Sequence, residues 1–305
     1  MKIVFAIDGS SCSRQSIETA LEMKCPMGTE IRVISVTGFS DPFPGVEEAS
    51  QKEATAAQRL VDEAVEKLKK THPSVNVSGD VLDGYVVEQI IHYCDQWPAD
   101  LVMLGSHGRA GLTEFVLGSV SRSVLSLAGC AVRIVRPPER ERESQGLNVL
   151  MALDPSQHCE FLVDHALKLP WPAGSRFRLL NVLASIDENT LFDPDIEFAN
   201  LVERHLDSMI YSRKEWLCEL TKKINDTFGA DVAEKQILTG DPRKKILECA
   251  KDWPADIIMV GSHGRQGIEK LILGSVSEAV ASHAPCSVEV TRVPAFRKQP
   301  VAARR

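Results

Sequence analysis

Glycines at 105, 108 and 111, followed seven residues later by Gly118-Ser119, punctuate the stretch GSHGRAGLTEFVLGSVS at 105–121. Nearly the same stretch, GSHGRQGIEKLILGSVS, returns at 261–277. Glycine admits positive φ and lets a ligand approach the main chain with no Cβ in the way. DLVMLGS reads as a strand ending at Gly105, and SVSRSVLSLA as a helix beginning near Gly118-Ser119. Ser119, Val120 and Ser121 would then offer main-chain N–H groups and hydroxyls at a helix start, where the dipole favours an anion. Ser275, Val276 and Ser277 hold the same places in the second copy. A loop of this kind wraps a phosphate chain. Turns that merely need glycine would explain one copy; two copies, with identity concentrated here while the surrounding helices differ, point to a ligand loop.

Two familiar phosphate loops are excluded. The Walker pattern needs Lys before a Ser or Thr at its end, and no Lys follows Gly111 or Gly118. The G-x-G-x-x-G dinucleotide pattern is absent, because the glycine steps are three, three and seven. His107 and His263 lie inside the loops and admit a phosphohistidine or general-base role; a turn residue or a phosphate hydrogen bond is the plainer alternative. Arg109 and Arg265 suit phosphate charge or simple solvation. Fast phosphoryl transfer needs a fixed cation clamp and a group that positions water or an acceptor. The acidic neighbours Glu114 and Glu269 do not align between the copies. The pattern therefore favours binding, with at most slow hydrolysis.

The elements that carry these loops are duplicated. At an offset of 156, residues 97–121 and 253–277 share sixteen of twenty-five positions, and Gly84 falls opposite Gly240. The starts align at an offset of 146, IVFAIDGS at 3–10 against VLMALDPS at 149–156, so the second copy has about ten extra residues before Gly240. Repeats of this size are duplicated domains. The expected division is domain 1 at 1–138, a charged linker at 139–146, domain 2 at 147–293 and a basic tail at 294–305. In the first copy IVFAI, IRVISV, VNVSGDVL, DLVML and AVRIV read as five strands, three of them nearly continuous in apolar residues, as expected of parallel strands covered on both faces. Amphipathic runs between them have helical periodicity, so the fold class is α/β with a parallel sheet. Such sheets bind ligands beyond the carboxyl ends of their strands, where strand order reverses. Asp8 and Asp154 end the first strands, where a carboxylate suits a ribose hydroxyl; Asp8 would alternatively cap the following helix. The copies differ just here, DGSS against DPSQ: Pro155 removes a donor and fixes φ beside Asp154.

The 305 residues suit two domains, and 44% hydrophobic with 25% charged residues is an ordinary globular composition. A net charge of −7 argues against a nucleic-acid partner. No run reaches the ~18–20 apolar residues of a membrane span, and Asp8 interrupts the first apolar run too early for a signal peptide, so no membrane partner and a cytoplasmic location are expected. The eight cysteines form no CxxC pair or zinc spacing, and Cys130 and Cys286, at matching places before the last strands, are expected to be buried free thiols.

The spacing Gly105-x2-Gly108-x9-Gly118-Ser119, repeated as Gly261-x2-Gly264-x9-Gly274-Ser275, resembles the ATP-binding signature of the universal stress protein family, and the resemblance extends over nearly the whole chain. It implies two tandem Rossmann-like domains, each a five-stranded parallel sheet in the order 3-2-1-4-5 flanked by helices. ATP, with magnesium carried on its phosphates and not by protein ligands, would lie across the first and fourth strands. Asp8 and Asp154 would sit near adenosine and ribose, and the main chain at Val36 and Val182 would hold adenine. Gly105, Gly108, Gly118, Ser119, Val120 and Ser121, with Gly261, Gly264, Gly274, Ser275, Val276 and Ser277, would hold ribose and phosphates. The implied function is a nucleotide-dependent regulator or sensor in the stress response, with ATP or another adenine nucleotide as ligand. The alternatives are a slow ATPase or phosphotransferase and a scaffold or chaperone-like dimer with vestigial loops. The last strands, AVRIV at 131–135 and SVEV at 287–290, would pair with each other inside one chain, and further homodimerisation is expected; the downstream protein partner is not legible.

Overall fold

The computed structural model describes residues 1–38, 47–108, 117–138, 146–184, 196–262 and 273–293. Arg109, Gly111, Glu114, His263, Gly264, Arg265, Glu269, the body of the linker and the basic tail fall outside them. The first half runs β1 (Lys2–Ala6), α1 (Ser11–Glu22), β2 (Glu30–Thr37), α2 (Glu47–Thr71), β3 (Asn76–Asp83), α3 (Val86–Gln96), β4 (Leu101–Gly105), α4 (Ser119–Leu127) and β5 (Ala131–Val135). The second runs β6 (Asn148–Ala152), α5 (Gln157–Ala166), β7 (Arg176–Leu183), α6 (Ile196–Phe228), β8 (Ala233–Thr239), α7 (Pro242–Asp252), β9 (Ile257–Gly261), α8 (Ser275–His283) and β10 (Ser287–Thr291). At 33 residues α6 outruns the 25 of its counterpart α2, so most of the second copy's extra length is helix.

The strands form one ten-stranded sheet, ordered β3-β2-β1-β4-β5-β10-β9-β6-β7-β8. Each half is parallel and has the expected order 3-2-1-4-5; only β5 and β10, at the centre, run antiparallel. Alternating side chains serve two apolar layers. Ile3 and Phe5 face α1 and α2, while Val4 faces α3 and α4. Helical spacing does the matching: Ala57, Val61, Ala64 and Leu68 of α2 are all buried, one stripe at steps of four, three and four. Both layers run across the seam, α1, α2, α5 and α6 covering one face and α3, α4, α7 and α8 the other. Because β4 and β5 are covered on both faces, all five residues of each are buried.

Beyond the strand pairing, two arginines cross the seam. Arg136, just after β5, donates from Nη2 to the Ala281 carbonyl at 2.6 Å and from Nη1 to that of Cys286 at 3.3 Å. Arg292, just after β10, donates from Nη2 to Leu125 and Ser126 at 2.5 and 2.8 Å. Each guanidinium thus meets a last-turn carbonyl of the other half's last helix, where the helix dipole favours a cation; Cys286 lies just beyond α8.

Candidate functional site

Register decides which loops meet. Ile3 pairs with Leu101 and Ala6 with Leu104, so the chain leaving β1 at Asp8 emerges beside the chain leaving β4 at Gly105. Strand order reverses between these two strands, and a crevice there is where open α/β sheets take ligands. Gly9 lies at φ +81°, turning the chain back into α1. The Asp8 carboxylate accepts from the Ser10 N–H at 2.9 Å. The cap of α1 is Ser10, whose hydroxyl oxygen accepts from Ser13 N–H at 3.2 Å; the alternative reading of Asp8 as that cap is thereby corrected. Asp and Ser both cap well and stand two residues apart, so residue type did not separate them. The Ser10 hydroxyl also donates to the His107 carbonyl at 3.2 Å, joining the start of α1 to the glycine loop.

The glycines do different work. A Cβ at Gly105 would lie 2.7 Å from Cys12 Cβ and 2.9 Å from Ser13 N, so this buried glycine lets the start of α1 pack on the end of β4. Its lack of a side chain is required by helix packing. Gly105→Ala is expected to destabilise the protein by about 1–3 kcal/mol, the cost of overpacking; urea unfolding showing wild-type stability would contradict this contact. At Gly108, exposed, a Cβ would come within 3.0 Å of Asp8 Oδ2, so any side chain there would crowd the space beside that carboxylate. Gly118 donates its N–H to the Ser106 carbonyl at 2.9 Å, closing the base of the loop, and is the N-cap of α4 with no side-chain cap of its own. Gly274 repeats both features, donating to Ser262 at 2.8 Å and starting α8 uncapped.

These starts leave the first N–H groups of α4 and α8 without a side-chain cap, the arrangement that suits an anion. Ser119 and Ser275 are exposed, Val120 and Val276 half-buried. Ser121 and Ser277 are buried, and their hydroxyls donate to the strand-end carbonyls of Gly105 at 2.8 Å and Gly261 at 2.5 Å. Those protons tie helix to strand, so a phosphate would meet these two serines through their main-chain N–H groups; Ser119 and Ser275 hold the outward hydroxyls. Val36 and Val182 sit half-buried near the ends of β2 and β7, paired with Leu82 and Leu238, at the same sheet edge as the loops. His107 Nδ1 is 3.0 Å from the Ser106 hydroxyl, and its buried Nε2 has no partner among the described residues. Burial, then the Arg136 charge, push its pKa below the ordinary 6.5, which favours the neutral imidazole at neutral pH.

The second site departs from the first where the sequences do. A proline cannot adopt the positive φ of Gly9. With Pro155 there, Ser156 N–H donates to the Asp154 main-chain carbonyl at 2.8 Å, and the Ser156 hydroxyl takes the carboxylate at 2.6 Å. Ser156, the N-cap of α5, makes no side-chain cap bond. Sequence reasoning passed over Ser10 and Ser106, which knit the loop to α1; their only signal was position beside Asp8 and inside the repeated GSHGR. It also passed over Arg136 and Arg292, whose matched places after the last strands were visible at the offset of 156. Among the described residues no group of three or more His, Cys, Asp or Glu could hold a metal, and no helix is long and apolar enough to cross a membrane.

The sequence pattern of the universal stress protein family matches residues 1–136 and again 147–292. A universal stress protein of Mycobacterium tuberculosis is 26% identical over 312 residues, covering 96% of this chain and 95% of the relative. One from Methanocaldococcus jannaschii is 30% identical over 145 residues, covering 46% of this chain and 84% of the relative. The crystal structure of a universal stress protein from Archaeoglobus fulgidus matches with a TM-score of 0.63 at 21% identity, covering 96% of each chain, which is a likeness of fold.

Proposed function

The chain belongs to the universal stress protein family, built as two tandem domains, and on that premise we propose that it is an ATP-binding, nucleotide-dependent regulator of a stress response. The observation that supports this most is the repeated, glycine-capped helix start at the point where strand order reverses, with Asp8 across from Gly108. In this reading the N–H groups of Ser119, Val120 and Ser121 and the Ser119 hydroxyl take the phosphates, Asp8 takes ribose, and the main chain at Val36 takes adenine. Ser275, Val276, Ser277, Asp154 and Val182 do the same in the second half, with Gly108, Gly118, Gly261, Gly264 and Gly274 keeping side chains out of the way. Magnesium on the phosphates would supply countercharge. The domains are taken as 1–138 and 147–293. A homodimer would use a surface other than β5 and β10, since those edges occupy each other. The test is to denature the purified protein and chromatograph what it releases. Adenine nucleotide is expected; no nucleotide, together with a melting temperature indifferent to ATP, would sink the reading. Ligand bound only by the folded state adds about 2.7 kcal/mol at a hundredfold excess over its Kd.

Two further expectations follow from the same geometry. The first site should bind ATP more tightly than the second, because the turn at Gly9 leaves the Asp8 carboxylate accepting a main-chain N–H, whereas Asp154 is held by a serine hydroxyl. A calorimetric titration fitted by one affinity for two sites would contradict it. Turnover should be slow, below about one per minute against the ~10 per second of a median enzyme. The described loop ends offer N–H donors and a neutral imidazole but no lysine clamp. Turnover above one per second, abolished by His107→Ala with His263→Ala, would show an enzyme instead.

A further inference from the structure

Strands β5 and β10 descend from the same position of the repeat. The offset of 156 makes Val132 the equivalent of Val288, Arg133 of Glu289 and Ile134 of Val290. In the observed register Val288 pairs with Ile134, Glu289 with Arg133 and Val290 with Val132. Exchanging the copies maps this set of pairs onto itself, so the local twofold axis passes between residues 133 and 289. A residue on such an axis faces its own equivalent. Here the equivalents carry opposite charges. Arg133 Nη2 and Nε each lie 2.6 Å from Glu289 Oε2, with the side chains 3% and 0% exposed. The Arg133 guanidinium also stacks over Trp171 at 5.3 Å, and Glu289 Oε1 is 2.8 Å from His165 Nε2. Both partners of Arg133 therefore come from the second half.

We propose that this axial pair selects the partner of each edge: β5 accepts a β10-type edge and rejects a second β5, and β10 rejects a second β10. Beyond the pair and the second-half residues His165 and Trp171 that contact it, the flanking apolar strand residues do not discriminate. Val and Ile at 132, 134, 288 and 290 would interdigitate in any combination, and Arg136 and Arg292 are equivalent residues making equivalent crossings. Joining the first halves of two chains would set Arg133 against Arg133 in a buried place. Joining the second halves would set two Glu289 carboxylates together. Like charges directly opposite on neighbouring strands repel, and at a dry interface the repulsion is large. Two near-identical apolar edges in one chain otherwise invite pairing between chains, the hazard that such devices guard against.

The test separates selection from mere stabilisation. Arg133→Leu with Glu289→Leu should leave the melting temperature of the full chain at or above wild type, since buried ion pairs are often replaceable by apolar residues. Refolded from denaturant at high concentration, that variant should form chain-exchanged assemblies, seen as larger masses by native mass spectrometry, roughly a hundredfold more than wild type. Refolding to the wild-type mass distribution, or a collapse in melting temperature, would overturn the proposal. A second arm uses charge reversal. Arg133→Glu and Glu289→Arg should each melt early alone, while a mixture of the two chains refolded together should show a transition near that of wild type, because their edges complement each other across chains. A mixture that melts as the sum of its parts would also overturn it.

Discussion

Arg133→Ala is expected to destabilise the protein by about 3–5 kcal/mol, because it strands a buried carboxylate. Glu289 is fully buried at the middle of the sheet, and burial alone would push its pKa up. The Arg133 charge and the contact with His165 outweigh burial and hold it down at about 2, from an ordinary 4.5. A carboxylate whose pKa is depressed on folding contributes stability that is complete above its unfolded value and is lost as pH falls through the folded one. The contribution should therefore be whole above about pH 4.5, decline below it and vanish near pH 2. Glu289→Gln should be less stable than wild type at neutral pH, and the gap should close on acidification across that window. Urea unfolding followed by circular dichroism measures both. An Arg133→Ala midpoint within about 1 kcal/mol of wild type, the worth of an exposed ion pair, would show that the pair is solvated and not the centre of the seam.

Gly118→Val and Gly274→Val are each expected to remove ATP binding at their own site, a loss of about a hundredfold or more in affinity, while leaving the other site intact. A Cβ at Gly118 would already sit 3.2 Å from the Ser106 carbonyl oxygen and 3.6 Å from His107 Cα. A β-branched side chain adds methyl groups between the loop base and the first N–H groups of α4, where phosphate oxygens would have to come. The same substitution removes a tolerated N-cap, which costs about 1 kcal/mol of stability and leaves a folded protein for the binding experiment. Calorimetry on each variant decides it: unchanged stoichiometry in both would rule out these helix starts as phosphate sites.

Much of the fold was legible because burial on both faces writes itself into sequence. DLVML and AVRIV read as covered parallel strands and proved to be β4 and β5, and the strand order implied by the family resemblance holds in both halves. The pairing of the last strands was anticipated, but its chemistry was not. Arg133 and Glu289 stand inside otherwise apolar strands, and a charge and its partner 156 residues away share no local pattern. At the candidate site, glycine spacing located the loops but could not distinguish a glycine needed by a helix from one needed by a ligand. Gly105 packs against a helix, whereas at Gly108 a Cβ would crowd the Asp8 carboxylate. Serine was similarly ambiguous: Ser119 and Ser121 look alike in sequence, yet only a folded strand end reveals that the Ser121 hydroxyl belongs to the Gly105 carbonyl.

The proposed nucleotide function is tested most directly by titrating the full-length protein with ATP and magnesium in a calorimeter. A saturable heat is expected, with a tighter site removed by Gly118→Val and a weaker one removed by Gly274→Val. No heat at any attainable ATP concentration, from protein that releases no nucleotide when denatured, would contradict it.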